Sequence, residues 1–215
     1  MAISWHGIAT PHFVTLAMTV INMIAVISDI HDNLANLKTA LDYAKTKSVS
    51  ALFVLGDVTN SDTLKYIAKN FADQIYLVSG NMEVNDLEAE SKKYKNIKYL
   101  GRKGGVIEIA GRTVGLCHEP FLVNALMADV IPAKAGIQVM ENSAKRLDSP
   151  DVHRGNDKGS GRRPEIIFYG HTHKPWEETK NGVKLVNPGN ISNTLYPASF
   201  ALWNETTNEL ELKIL

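Results

Sequence analysis

Met23-Ile24-Ala25-Val26-Ile27-Ser28-Asp29-Ile30-His31 opens with five apolar residues in a row and then turns abruptly to a carboxylate and an imidazole. An apolar run without alternation is the mark of a strand covered on both faces, as in the parallel sheets of α/β proteins. Downstream, Leu34, Leu37, Ala40, Leu41 and Ala44 recur at helical spacing, and Asn33 is placed to cap the helix. The alternation continues: a strand over 51–55 ends in Gly56-Asp57, a helix covers 61–70, and a third strand over 75–79 ends in Gly80-Asn81. Short strands and helices in turn predict a layered α/β fold. Residues 106–109 and 113–117 flank Ala110-Gly111-Arg112, a hairpin signal. Further strands are expected over 165–169, 183–186, 199–203 and 209–214.

The chain has 215 residues, a length that suits one domain with its own core. Lys and Arg total 23 and Asp and Glu total 23, so no net field favours nucleic acid or an anionic membrane. Cys117 is the single cysteine, which excludes an internal disulfide and fits a reducing, cytoplasmic setting. Residues 13–27 are apolar but lack a basic flank, a cleavage site and the length of a membrane span. Residues 1–22 therefore read as an N-terminal extension to a single domain over 23–215, with Met23 a candidate start. Between 130 and 163 no period persists, and seven basic residues stand against four acidic ones. Part of this stretch resembles translated bacterial palindromic repeat DNA. It reads as a passive inserted loop, with a basic substrate lid as the alternative.

The polar residues fall where the strands end. Asp29, Asp57 and Asn81 each follow an apolar run, His118 follows another, and His171 and His173 follow a fifth. Strand ends in α/β sheets direct their loops to a common crevice. One Asp or His at a strand end is more often a cap than a ligand, but seven donors with His31 included exceed that explanation. Carboxylates with imidazoles suit manganese, iron, cobalt, nickel or zinc as divalent ions. Seven donors are too many for one tetrahedral site and enough for two ions sharing a carboxylate. His6, His12 and His153 match no motif, and Trp5, Trp176 and Trp203 read as packing residues.

Asp29-x-His31, Gly56-Asp57, Gly80-Asn81, His118, Gly170-His171-Thr172-His173 and Asn187-Pro188-Gly189 resemble, in order, the motifs of the calcineurin-like metallophosphoesterase superfamily, in particular its small bacterial and archaeal phosphodiesterases. The resemblance implies a four-layer αββα sandwich of two mixed β-sheets flanked by helices. It also implies a metal-dependent phosphoesterase, a diesterase ahead of a monoesterase, with two divalent ions, manganese first, and a bridging hydroxide. By position, Asp29, His31 and His173 match ligands of the first ion, Asn81, His118 and His171 those of the second, and Asp57 the bridge. Asp57, Asn81 and His118 would also serve catalysis, and Asn187-Pro188-Gly189 would support the site as a turn. The implied partner is a small phosphate ester, with self-association left open. Two positions depart from the pattern. Met82 stands where a proton-donating His or a Cys is common, and Glu119 where Gly is usual. The competing reading is an inactive protein-binding scaffold on the same fold, as in the retromer subunit that resembles these enzymes.

Overall fold

The computed structural model describes residues 23–128, 137–139 and 162–215; the extension, its two histidines, Trp5, His153 and most of the expected insertion lie outside them. In chain order the strands and helices are β1 (Met23–Ile27), α1 (Leu34–Thr46), β2 (Val49–Val54), α2 (Ser61–Asn70), β3 (Gln74–Leu77), α3 (Leu87–Ser91), β4 (Ile97–Tyr99), β5 (Gly105–Ile109) and β6 (Arg112–Leu116). There follow α4 (Val123–Ala128), β7 (Ile137–Val139), β8 (Ile166–Phe168), β9 (Trp176–Lys180), β10 (Val183–Asn187), β11 (Ser199–Asn204) and β12 (Leu210–Ile214). Asn33 and Asn60 cap α1 and α2, their side chains accepting from Asn36 N and from Asp62 N and Thr63 N. Each cap satisfies amides that the first helical turn leaves without partners.

Among the described residues the strands form two six-stranded sheets, ordered β12-β11-β1-β2-β3-β4 and β7-β5-β6-β8-β10-β9. Both sheets are mixed. β1, β2, β3 and β4 run parallel, as do β6, β8 and β10, while β11, β12, β5, β7 and β9 pair antiparallel.

Among the described residues three apolar clusters define the layers. Ala25, Ile27, Leu52, Val54 and Leu77 pack against Leu37, Leu41, Leu64 and Ile67 of the helices. Their neighbours in sequence, Ile24, Val26, Ala51 and Phe53, point the other way, toward Val114, Leu116, Ile166 and Phe168 of the second sheet. The period-2 alternation of a strand thus feeds two different cores, so neither set of positions is polar. Phe53, Phe168 and Trp203 meet between the sheets, with ring centroids 5.5 to 6.4 Å apart. On the far face of the second sheet, Val106, Cys117, Ile167 and Leu185 pack against Val123 and Leu126 of α4. The order helix, sheet, sheet, helix is the expected four-layer sandwich. Cys117 is fully buried, and burial pushes its thiol well above the usual range, as befits a small packing residue.

Candidate metal centre

The parallel registers decide where the donors meet. β1, β2 and β3 end on one edge of the first sheet, and β6, β8 and β10 end on one edge of the second. The loops that follow are tied together by their backbones: Ile30 N and His31 N donate to Asp57 O at 2.9 and 3.0 Å, and Gly170 N donates to His118 O at 3.0 Å. Ile191 N and Ser192 N, beyond β10, donate to Ser28 O and Asp29 O at 3.0 Å and so join the two sheets. Asp29, His31, Asp57, His171 and His173 all take left-handed backbone angles, with φ between 45° and 70°. Positive φ is uncommon outside glycine, though Asp and His tolerate it better than most residues, and such conformations concentrate at turns and functional sites. Gly56 serves differently: with φ +96°, a Cβ there would lie 2.7 Å from both Gly80 N and His118 Nδ1. Only glycine lets the loops after β2, β3 and β6 approach this closely.

All seven donors expected from the sequence converge. His173 Nε2 lies 3.3 Å from Asp29 Oδ1 and 3.3 Å from His31 Nε2. Asp57 Oδ2 stands between the halves, 3.5 Å from His31 Nε2 and 3.4 Å from His118 Nε2. Asn81 Oδ1 is 3.0 Å from His118 Nε2 and 2.8 Å from His171 Nδ1, which brings His171 in at the exposed rim. Asp29, His31 and His173 form one cluster of acidic and imidazole donors close enough to share an ion, and Asp29, Asp57 and His118 form a second.

The ring orientations turn Nε2 of His118 and of His173 inward. His118 Nδ1 lies 2.6 Å from Leu55 O, and His173 Nδ1 lies 3.2 Å from Thr194 O. A carbonyl can only accept, which places a proton on each Nδ1, so that in the neutral ring the Nε2 lone pair points inward. Asp29 Oδ2 accepts from Ser28 Oγ and His171 N, while the buried Asp29 Oδ1 has no hydrogen-bond partner among the described residues and lies 3.3 Å from His173 Nε2. Asp57 Oδ1 accepts from Met82 N at 2.8 Å, leaving Oδ2 to the cluster. Buried oxygens and imidazole lone pairs crowded at 3.0 to 3.5 Å repel one another unless a proton or a cation lies between them. The donor set therefore fits divalent ions, and the carbonyls behind His118 and His173 are the outer partners that orient such ligands.

Titration follows the same logic. Burial lowers the His118 value, but the Asp57 and Asp29 carboxylates outweigh it and hold it above the ordinary range. Asp29 raises His173 against the pull of burial. Burial raises Asp57, yet His118 and the Met82 amide leave its carboxyl below its usual value.

Several further residues hold the site without belonging to the donor set. Glu83 accepts from Gly80 N, Val58 N and Thr59 N, stapling the loop after β3 to that after β2. Asn187 donates to Gly170 O and Thr172 Oγ1, so the turn after β10 supports the His171 loop, as its motif implied. Asn190 donates to His173 O. Glu119 neither faces solvent nor joins the donors; it is buried and paired with Arg102. Met82 is 53% exposed, so its side chain does not serve as packing.

Residues 23–208 match the family model of the calcineurin-like phosphoesterase superfamily domain. The chain belongs to that superfamily. Its members are metal-dependent, in keeping with the donor cluster. An uncharacterised protein of Methanocaldococcus jannaschii is 26% identical over 196 residues, covering 79% of this chain and 70% of that one. An archaeal phosphodiesterase of known structure superposes with a TM-score of 0.67 at 17% identity, over 90% of this chain and 99% of the other. The phosphoesterase YfcE of E. coli gives 0.53 at 16% identity, over 89% and 98%. Vacuolar protein sorting 29 of Cryptosporidium parvum gives 0.53 at 16% identity, over 91% and 97%. At these identities the superpositions establish the fold. Among the described residues no helix is long and apolar enough to cross a membrane.

Proposed function

We propose that this protein is a phosphodiesterase that works with two divalent ions, manganese first among them. The observation that carries the reading is the crowding of carboxylate, amide and imidazole donors, above all the buried Asp29 Oδ1, which accepts no hydrogen bond among the described residues and lies 3.3 Å from His173 Nε2, itself 3.3 Å from His31 Nε2. In this reading Asp29, His31 and His173 hold one ion, Asn81, His118 and His171 hold the other, and Asp57 lends Oδ2 to both. Two such ions would supply Lewis-acid polarisation of a phosphoryl group and a hydroxide nucleophile at neutral pH.

The protein's own residues then have distinct tasks. Leu55 O and Thr194 O keep His118 and His173 in the tautomer that presents Nε2. Met82 N holds one oxygen of Asp57 so that the other faces the centre. Asn81 and His171 are exposed at the rim and are the first side chains met by a phosphate arriving from solvent, with the buried His118 behind them. Beside the His171 loop a cavity lined by Tyr169, Thr172, Lys174, Trp176 and Tyr196 offers aromatic surface and one amine for the organic part of an ester. A diester has two such substituents. The position after Asn81 is a thioether, which cannot protonate a departing oxygen, so esters with good leaving groups are the favoured substrates.

The scaffold reading is weaker, because a likeness of fold does not fix function and here no donor is missing. Metal analysis of the purified protein, followed by comparison of bis-nitrophenyl and mono-nitrophenyl phosphate hydrolysis with manganese, tests the proposal. Two ions per chain and faster diester turnover are expected. A protein that binds no ion, or that hydrolyses neither ester when loaded, would sink it.

A further inference from the structure

Arg102 follows β4 and lies outside the donor cluster, yet its guanidinium ties together two of the loops that build the cluster. Nη1 donates to Gly80 O and Nη2 donates to Glu119 Oε1, both at 2.7 Å. Gly80 immediately precedes Asn81, and Glu119 immediately follows His118. Those loops belong to different sheets, one after β3 and the other after β6. The side chains they carry meet at the 3.0 Å contact between Asn81 Oδ1 and His118 Nε2. Glu119 is only 6% exposed, and a carboxylate so placed is costly unless a cation answers it. A guanidinium can serve two acceptors at once through its planar fork; an ammonium presents a single point of charge.

We infer that Arg102 and Glu119 form a clamp that sets the separation of Asn81 and His118, and with it the affinity of that half of the centre for its ion. Both act as positioning residues, and neither needs to touch substrate. The inference rests on the two-ion reading above. It explains why a charged residue follows His118: Glu119 anchors the arginine that reaches across to the backbone just before Asn81. Removing the fork frees two loops that otherwise belong to separate sheets, so the loss should fall on the ion they share.

The test is a calorimetric titration of the full-length protein with manganese, made on wild type, Arg102→Lys, Glu119→Gln and the reference variant Asn81→Ala. Wild type is expected to take up two ions. Arg102→Lys should weaken one of them by about 10- to 100-fold, the usual cost of losing an outer partner, and leave the other unchanged. The weakened ion should be the one that Asn81→Ala also loses. Glu119→Gln keeps an oxygen for Nη2 and should lose less. In the manganese paramagnetic resonance spectrum the coupled pair should give way to the spectrum of an isolated ion at concentrations where wild type is fully loaded. Excess manganese should restore kcat in Arg102→Lys with KM for a nitrophenyl diester unchanged, a rescue that a merely structural role would not show. Two unaltered affinities in folded Arg102→Lys and Glu119→Gln proteins would overturn the clamp alone. Equal weakening of both ions with a lowered melting temperature would also overturn it, as general destabilisation. Uptake of a single ion by wild type would overturn the two-ion reading and the clamp with it. Should Arg102→Lys fail to fold, Glu119→Gln decides the matter on the same readouts.

Discussion

Asp57 is the residue at which the two halves of the centre meet. Its Oδ1 is taken by Met82 N, and its Oδ2 lies 3.5 Å from His31 Nε2 and 3.4 Å from His118 Nε2. Replacing it by Asn preserves the shape and removes the charge that would let two cations approach. Asp57→Asn should therefore stay folded, bind fewer than two ions, and lose at least about 100-fold in turnover, since even outer partners are worth 10- to 100-fold. A variant with two tightly held ions and full activity would end the bridging assignment. Met82 offers a second test nearby. Its side chain is 53% exposed, and its backbone contact with Asp57 survives substitution. General acids contribute about 10²–10⁴-fold, and an exposed imidazole without an orienting partner should give less. Met82→His should accelerate alkyl diesters more than aryl ones and flatten the dependence of rate on leaving-group pKa; an unchanged slope would dismiss the missing-acid idea. At this scale the seven donors were legible because each is a polar residue stranded at the end of an apolar run. Glu83, Arg102 and Glu119 were not legible, because each works through a partner distant in sequence or a backbone atom. Such contacts leave no period and no motif.

At the scale of elements, legibility followed burial. The helix expected over 61–70 is α2, and the strands buried on both faces appear within one or two residues of their expected bounds. Every residue of β9 is exposed, so Trp176-Glu177-Glu178-Thr179-Lys180 shows no hydrophobic pattern; it is a strand because β10 supplies its ladder. β4 spans three residues and α3 five, too short for a period to show. The stretch read as one inserted loop over 130–163 also needs division. Ile137–Val139 pairs antiparallel with β5, and Arg162 lies 3.8 Å from Glu108 and 3.3 Å from Gly111 O. Deleting the whole stretch would strip an edge of the second sheet and expose unpaired β5 backbone, an invitation to association. Deleting only 140–161 with a short Gly/Ser link should leave diester turnover unchanged and the melting temperature nearly so, because closure entropy grows slowly with loop length. Catalysis lost from that shorter deletion, with folding and metal uptake retained, would revive the lid.

For the molecule as a whole, the donors come from both sheets, so a cluster that binds ions exists only in the folded state. Metal should stabilise the protein by mass action, by about 2.7 kcal/mol at a hundredfold excess over Kd. The size of that stabilisation should depend on pH in a definite sense. His118 and His173 have folded values raised above about 6.5, the ordinary figure for imidazole. In the metal-free protein their protonated forms relieve the crowding of carboxylate and imidazole, and this contribution is fully present below about pH 6.5. It is lost as pH rises through the raised values. Asp57 works oppositely: its lowered value contributes stability above the carboxylate range, and that contribution does not change as the histidines titrate. Bound cations take the place of the histidine protons, so each proton displaced adds about 1.4 kcal/mol of metal binding per pH unit across that window. The melting temperature of the metal-free protein should fall as pH rises above about 6.5 through the raised histidine values, while that of the manganese-loaded protein should not. The gap between the two should widen by a few degrees per pH unit for each proton displaced, at about 2–4 °C per kcal/mol for a domain of this size. Melting both forms across that range, with calorimetry in buffers of different ionisation enthalpy to count released protons, measures it. A gap that stays flat, with no protons released, would show that His118 and His173 do not hold the metal.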